Sequence, residues 1–189
     1  GGQTMNPSTE SILEGVNKIP AETVFVLPNN GNIIMAAQQC AALTEKQVVV
    51  IPTKTVPQGI TAMMNVDFDA PDAQAITDAM TGSLSSVTTA QITYAARDSD
   101  FDGFAIKEGD YLALEEGKLF DTVLDTLLHK LAEDAAGREV SFISLYFGED
   151  VQEADAQKAG ALFEEVCPGA EVAVLSGGQP VYYYIISME

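Results

Sequence analysis

Two short runs rich in β-branched residues, 23–27 and 47–51, are each closed by a proline and are too short for a helix, so both predict strands. Between them residues 32–43 are small, apolar or amide-bearing, enough for about three helical turns. Strand, helix, strand predicts a βαβ unit with parallel strands and a right-handed crossover. Ahead of it, Asn6-Pro7-Ser8-Thr9-Glu10 reads as a helix start, with Ser8 at the N-cap and Glu10 in the first turn. Ile12, Leu13, Val16 and Ile19 then form an apolar stripe that Pro20 ends. After the βαβ unit, Pro57-Gln58-Gly59 opens a short helix carrying Ile60, Met63 and Met64. A second proline-led helix is predicted over 71–80, and 82–86 reads as a loop.

The pattern changes beyond residue 87. Residues 88–96 alternate and favour a strand, and 101–120 read as hairpins with turn signals at Asp102-Gly103, Glu108-Gly109-Asp110 and Glu116-Gly117-Lys118. A helix is predicted over 120–132, because Phe120, Val123, Leu124, Leu127, Leu128 and Leu131 share one face. A buried strand follows at 140–147 and an amphipathic helix at 151–166. Strands at 171–175 and 181–187, joined by Ser176-Gly177-Gly178-Gln179-Pro180, close the chain. The expectation is a two-lobed α/β protein. Its domains are 1–87, a Rossmann-like βαβ lobe with parallel strands and a linker helix, and 88–189, a second α/β lobe.

Composition narrows the function classes. Apolar residues make up 47% of the 189 positions, ample for a core, and no apolar run approaches the roughly 20 residues that span a bilayer. No signal-peptide pattern is read, and Cys40 and Cys167 are too few for a disulfide framework, so two reduced thiols in a cytoplasmic protein are expected. From its Gly-Gly start the chain is expected to be a piece of something longer. A net charge of −19 argues against nucleic acid and anionic membrane as partners. Residues 1–86 hold eight acids and three bases, net −5, and 87–189 hold twenty acids and six bases, net −14. The second half is therefore better suited to a basic partner.

Both strands of the βαβ unit run into polar loops, Pro28-Asn29-Asn30-Gly31-Asn32 and Pro52-Thr53-Lys54-Thr55-Val56-Pro57-Gln58-Gly59, at the strand ends where α/β sheets place ligands and partners. An Asn side chain is expected to cap the helix there, with Gly31 at positive φ, and the free N–H groups suit an anion or a partner carboxylate. Lys54 adds a positive charge. The single histidine, His129, lies off the apolar stripe and reads as a solvent-facing residue rather than a base. Arg97-Asp98 with Asp100 and Asp102 spaces acids loosely like a calcium loop, although hairpin turn chemistry accounts for them better. The Gly177-Gly178-Gln179 triplet matches a peptide-release motif, but that activity needs a basic, ribosome-binding protein. Tyr182, Tyr183 and Tyr184 in an alternating strand predict one ring on one face and two on the other. No zinc pattern, Walker A, GxGxxG or GxSxG motif occurs.

Five separated motifs carry a resemblance: Gly1-Gly2-Gln3-Thr4-Met5-Asn6-Pro7-Ser8-Thr9-Glu10, Val26-Leu27-Pro28-Asn29-Asn30-Gly31-Asn32-Ile33-Ile34, Ile51-Pro52-Thr53-Lys54-Thr55-Val56-Pro57-Gln58-Gly59, Thr93-Tyr94-Ala95-Ala96-Arg97-Asp98 and Gly177-Gly178-Gln179-Pro180-Val181-Tyr182-Tyr183-Tyr184. In order, and end to end, they resemble the C-terminal region of the ATP-binding subunit of bacterial fatty acid kinase. That family is dihydroxyacetone-kinase-like and also goes by "Dak phosphatase". The resemblance implies a parent whose N-terminal domain binds ATP and magnesium and whose central domain links and dimerises. It implies no cofactor in this chain, and a C-terminal part that docks a DegV-type fatty-acid-binding protein so that the bound acid is phosphorylated and enters phospholipid synthesis. The second half is also similar to the C-terminal domain of DegV proteins.

The expected partners are thus that DegV-type protein and the rest of the parent kinase chain, with a homodimer also admitted. The expected contact residues are Asn29, Asn30, Asn32, Thr53, Lys54, Thr55, Gln58, Arg97 and Tyr183, with no catalytic residue. Two alternatives stand beside docking: an acyl chain or phosphate bound between lobes, and a dihydroxyacetone-kinase-like hydrolase.

Overall fold

The computed structural model describes residues 6–101, 104–115 and 118–189. The chain divides into two compact units, Gly1–Val87 and Thr88–Glu189.

In the first unit, helix α1 (Thr9–Lys18) is capped by Ser8, whose hydroxyl accepts from Ser11 N at 3.2 Å. Strands β1 (Thr23–Val26) and β2 (Gln47–Val50) pair in parallel, with Val24 opposite Val48. Helix α2 between them is Ile34–Cys40, shorter than its sequence suggested, and its capping residue is Ile33 with no side-chain cap. Helix α3 (Val56–Met64) starts at the Thr55 cap, and α4 (Ala73–Gly82) starts where Asp72 Oδ1 accepts from Ala75 N at 2.9 Å. Residues Ser83–Ser86, read as a loop, form a 3-10 turn whose Ser86 hydroxyl returns to Ser83 O at 2.8 Å. Ile51, Ala62 and Met80 centre the core, packed about by Phe25, Val49 and Ile76.

The second unit is built on a six-stranded sheet in the order β7-β6-β3-β10-β8-β9. Its strands are β3 (Thr88–Tyr94), β6 (Tyr111–Glu115), β7 (Lys118–Leu119), β8 (Phe142–Phe147), β9 (Glu171–Ser176) and β10 (Tyr184–Met188). A separate hairpin joins β4 (Ser99–Phe101) to β5 (Phe104–Ile106). Strand β10 is buried along its whole length, with β3 and β8 antiparallel on its two sides. Helix α6 (Glu153–Val166) carries the crossover from β8 to the parallel β9. It packs with α5 (Leu124–Gly137) over the face that displays Ile92, Leu145, Tyr184 and Ile186. Phe163, fully buried, is the largest side chain sealed there.

Two expected boundaries move. The helix predicted from Phe120 begins at Leu124, because Asp121 Oδ1 takes the N–H groups of Thr122 (2.7 Å) and Val123 (3.3 Å) into a turn of its own. The last strand begins at Tyr184 rather than 181, because Val181 sits at φ 73° and breaks the extended run. The turn signal Glu108-Gly109-Asp110 holds: Gly109 is at φ 88° and Asp110 Oδ2 accepts from Lys107 N at 2.8 Å. Those at Asp102-Gly103 and Glu116-Gly117, and Asp102 as a candidate ligand, lie outside the described residues. None of the described helices is long and apolar enough to cross a membrane.

Candidate functional site

The two strand-end loops of the first unit are tied together by Thr53. Its hydroxyl, on a fully buried side chain, accepts from Asn29 N at 2.9 Å and so fixes the exit of β1 against the exit of β2. Asn29, not Gly31, takes the positive φ (55°), a conformation asparagine tolerates better than most residues. Gly31 has open space where a Cβ would go, the nearest atom being Lys54 Cγ at 4.0 Å. The Asn29 amide packs flat against Gly59 of α3; any Cβ at Gly59 would lie within 2.8 Å of Asn29 Cγ. Asn29 Oδ1 is buried with no hydrogen-bond partner.

The remaining loop residues divide into structural and free groups. Asn30 Oδ1 accepts from Asn32 N at 2.9 Å, a local turn that ends before α2 begins, so no asparagine caps that helix. Thr55 Oγ1 accepts from Gln58 N at 3.3 Å, and Gln58 Oε1 accepts from Lys54 N at 2.8 Å, a reciprocal cap at the start of α3. Of the three bases in this unit, Lys18 pairs with Glu14 at 2.6 Å and Lys46 caps the carbonyls of Val16 and Asn17 at the end of α1. The ammonium of Lys54 is exposed and has no bonded partner among the described residues.

Helix α3 presents what the sequence concealed. Its buried face is made of the small residues Pro57, Gly59, Thr61 and Ala62, which leaves the large ones outside. Val56 is 47% exposed, Met63 56% and Met64 80%, and with Ile60, Leu27 and Asn29 they line an open apolar cavity of about 480 Å³. An apolar patch kept in water beside an unpaired lysine is what a binding surface shows and a core does not.

The other two expected residues lie in the second unit. Arg97 is exposed in the turn before β4, where Asp98 accepts from Glu108 N at 2.8 Å and pairs with Lys107 at 3.3 Å. The Glu108 N–H, then Lys107, hold the Asp98 carboxyl below its ordinary value. Among the described residues no cluster of acids is arranged to hold a metal. The Tyr183 ring meets Tyr111 edge-on at 5.1 Å and Tyr94 at 6.2 Å. The three consecutive tyrosines form no alternating row, since the strand starts only at Tyr184. Gln179 folds inward, its Nε2 donating to Tyr146 O at 2.9 Å and Tyr182 O at 3.2 Å, so the Gly-Gly-Gln turn is structural. His129 is exposed, with Nδ1 at 2.8 Å from its own helix's Asp125 carbonyl oxygen. Both cysteines are buried and unpaired, and burial pushes both thiols up.

Tyr184 is 2% exposed, and burial, with smaller contributions from Asp155 and Tyr111, pushes its phenol from 10.0 to about 12. A proton held more tightly in the folded state leaves stability intact below pH 10 and removes it as pH rises from 10 to about 12. Ultraviolet titration is expected to show a late ionisation near pH 12 that Tyr184→Phe deletes. A wild-type curve complete by pH 11 would contradict this placement.

The family of FakA-like C-terminal regions of fatty acid kinase matches residues 1–189. The chain belongs to that family. Its relatives include the YloV protein of Bacillus subtilis (strain 168), 40% identical over 191 residues, which cover 100% of this chain and 34% of that protein. A Staphylococcus aureus (strain USA300) protein is 37% identical over 191 residues, 100% of this chain and 35% of its own length. The chain therefore spans about a third of the length of these family members. Among solved structures it is similar to a DegV family protein of Corynebacterium glutamicum, with a TM-score of 0.68 and 16% identity over 97% of this chain and 82% of that one. It is also similar to the fatty acid kinase B3 protein of Streptococcus pneumoniae, solved with linoleic acid, with a TM-score of 0.66 and 11% identity over 97% and 76% of the two chains. At such identities the likeness is one of fold. It reaches beyond the second half, where the sequence alone had placed it, and takes in the elements of the first unit as well.

Proposed function

We propose that this family member is the non-catalytic C-terminal module of a fatty acid kinase, and that it docks a DegV-type fatty-acid-binding protein. The acid carried by that partner is then phosphorylated with ATP and magnesium bound elsewhere in the parent kinase chain. The observation that carries the reading is the outward apolar face of α3, Val56, Ile60, Met63 and Met64, flanked by the exposed Lys54 and the braced 29–32 loop. Apolar side chains surrounded by polar loops suit a protein partner. Thr53, Thr55 and Gln58 support the surface by holding its loops, whereas Lys54 and Asn32 are free to make contacts. In the second unit, Arg97 is an exposed cation that the same partner can meet.

The test is calorimetric titration of the chain with a purified DegV-type protein loaded with fatty acid. Saturable binding is expected, weakened more than tenfold, about 1.4 kcal/mol, by Met63→Glu with Met64→Glu, and less by Lys54→Ala or Asn30→Ala. Both methionines are surface residues, so circular dichroism should not change. Absence of binding by a folded chain sinks the docking reading.

One observation favours small-molecule binding as a second reading: the buried, unpartnered Asn29 Oδ1 beside an apolar cavity. The same titration with free fatty acid decides it. Hydrolysis has no comparable support, because the ring of the single histidine is engaged with its own helix and exposed, and both thiols are buried.

A further inference from the structure

The second unit contains a cavity of about 580 Å³ that the docking reading does not use. Its floor is the helix-covered face of the sheet at the start of β10, and its walls are the N-terminal halves of α5 and α6. Leu124, Leu128 and Leu162 supply an apolar wall, and the rings of Tyr111, Tyr183 and Tyr184 an aromatic one. Tyr184 is only 2% exposed, yet its hydroxyl makes no hydrogen bond among the described residues. A phenol removed from bulk water in this way is expected to have a partner, and here it borders empty space.

Charge decides what that space accepts. Asp125, Asp150 and Asp155 stand at the cavity, and Lys158 is spoken for by Asp155 at 2.8 Å. Asp125 and Asp150 form no ion pair among the described residues. The N-terminal ends of α5 and α6 each contribute about half a positive charge. Together with Lys158 they leave the cavity about one charge negative, on a chain whose net charge is −19. A carboxylate or phosphate is disfavoured on that count. Aromatic ring faces combined with unpaired carboxylates instead suit a cation with an organic body.

We propose that this cavity binds a small organic cation of the alkylammonium class. The charged head lies against the ring faces of Tyr111 and Tyr183 and within the field of Asp125 and Asp150. The apolar body rests on the leucine wall, and a polar substituent reaches the Tyr184 hydroxyl. The site is independent of the first unit's surface, so failure of docking leaves it standing and the reverse is also true.

The test follows tyrosine resonances of the full chain by NMR at 0.15 M salt during titration with choline, with its uncharged carbon isostere 3,3-dimethylbutan-1-ol, and with hexanoate. Choline is expected to saturate a single site, shifting Tyr111, Tyr183 and Tyr184, at least tenfold more tightly than the alcohol, with no competition from hexanoate. Tyr184→Phe is expected to weaken choline severalfold, and Tyr183→Leu to abolish the preference for the charged head. Should Tyr183→Leu fail to fold, Asp150→Asn, a surface change, is expected to reduce that preference severalfold. Equal affinity for the alcohol, competition by hexanoate, non-saturating shifts spread over the acidic surface, or an undiminished preference in the variants overturns the proposal.

Discussion

Replacing Arg138 with methionine is expected to destabilise the second unit by about 3 kcal/mol, the lower end of the cost of stranding one member of a buried ion pair. Arg138 stands at the C-terminal cap of α5 and reaches three groups. Its Nη2 pairs with Glu115 Oε1, its Nε with Asp134 Oδ2 at 2.7 Å, and its Nη1 donates to Thr88 Oγ1 at 3.1 Å. Glu115 is 1% exposed, so its carboxylate has surrendered nearly all contact with water and depends on the guanidinium for compensation. The arginine itself is 31% exposed, and this solvent access keeps the expected loss at the lower end of the range. Charge, and not the lost packing of a long side chain, is the proposed cause. The double variant Arg138→Met with Glu115→Gln is therefore expected to recover most of the stability that the single change loses. Urea midpoints of the four proteins measure this directly. A single-variant loss below about 1 kcal/mol, or a double variant no better than the single, would show that the pair contributes little.

How much of this was legible in the sequence depended on whether a feature was local. The βαβ start was legible, because β-branched runs ended by proline leave few alternatives, and the Ser8 cap lay in a five-residue signal. Boundaries failed where a side chain competed with the backbone. Phe120 fits the leucine stripe of α5 by spacing alone, but Asp121 captures the two N–H groups that the extra turn would need. The site was legible as loops and illegible as chemistry. Asparagines at 29, 30 and 32 suggested a helix cap, whereas in the structure one takes a left-handed backbone and braces α3, and another closes a local turn. Helix α3 shows a limit of amphipathic reading. Periodicity reveals that two faces differ, but small residues can pack inward against close backbone and leave Met63 and Met64 outside. The cavity at Tyr184 had no sequence signature at all, since its walls come from β6, α5, α6 and the chain before β10. Family motifs reached further than local patterns, because five ordered segments identified the family over the whole chain.

Gly148→Ala is expected to cost about 3 kcal/mol, the upper part of the range for overpacking. Its reason is backbone rather than side chain. Gly148 follows β8 directly, and its N–H donates to Tyr183 O at 2.9 Å while its carbonyl accepts from Val151 N at 3.2 Å. A Cβ at this position would collide with the Tyr182 carbonyl oxygen and lie 2.7 Å from that of Gln179. Neither oxygen can swing aside as a flexible side chain would. The Gln179 carbonyl accepts from Glu149 N at 3.1 Å, the Tyr182 carbonyl accepts from the Gln179 amide at 3.2 Å, and Val181 between them is already at positive φ. Relief of the clash has to move the 176–183 turn away from the end of β8, breaking bonds at both ends of that turn. Thermal denaturation is expected to show a melting point lowered by several degrees. Gly169→Ala serves as the control, since a Cβ there meets nothing within 4 Å. If the two alanine variants melt together, the close approach of the 176–183 turn to Gly148 is not a constraint on the fold. If Gly148→Ala alone is destabilised, and Gln179→Ala at the same turn also weakens the unit, the buried glutamine and the glycine are two halves of one device that sets where β10 begins.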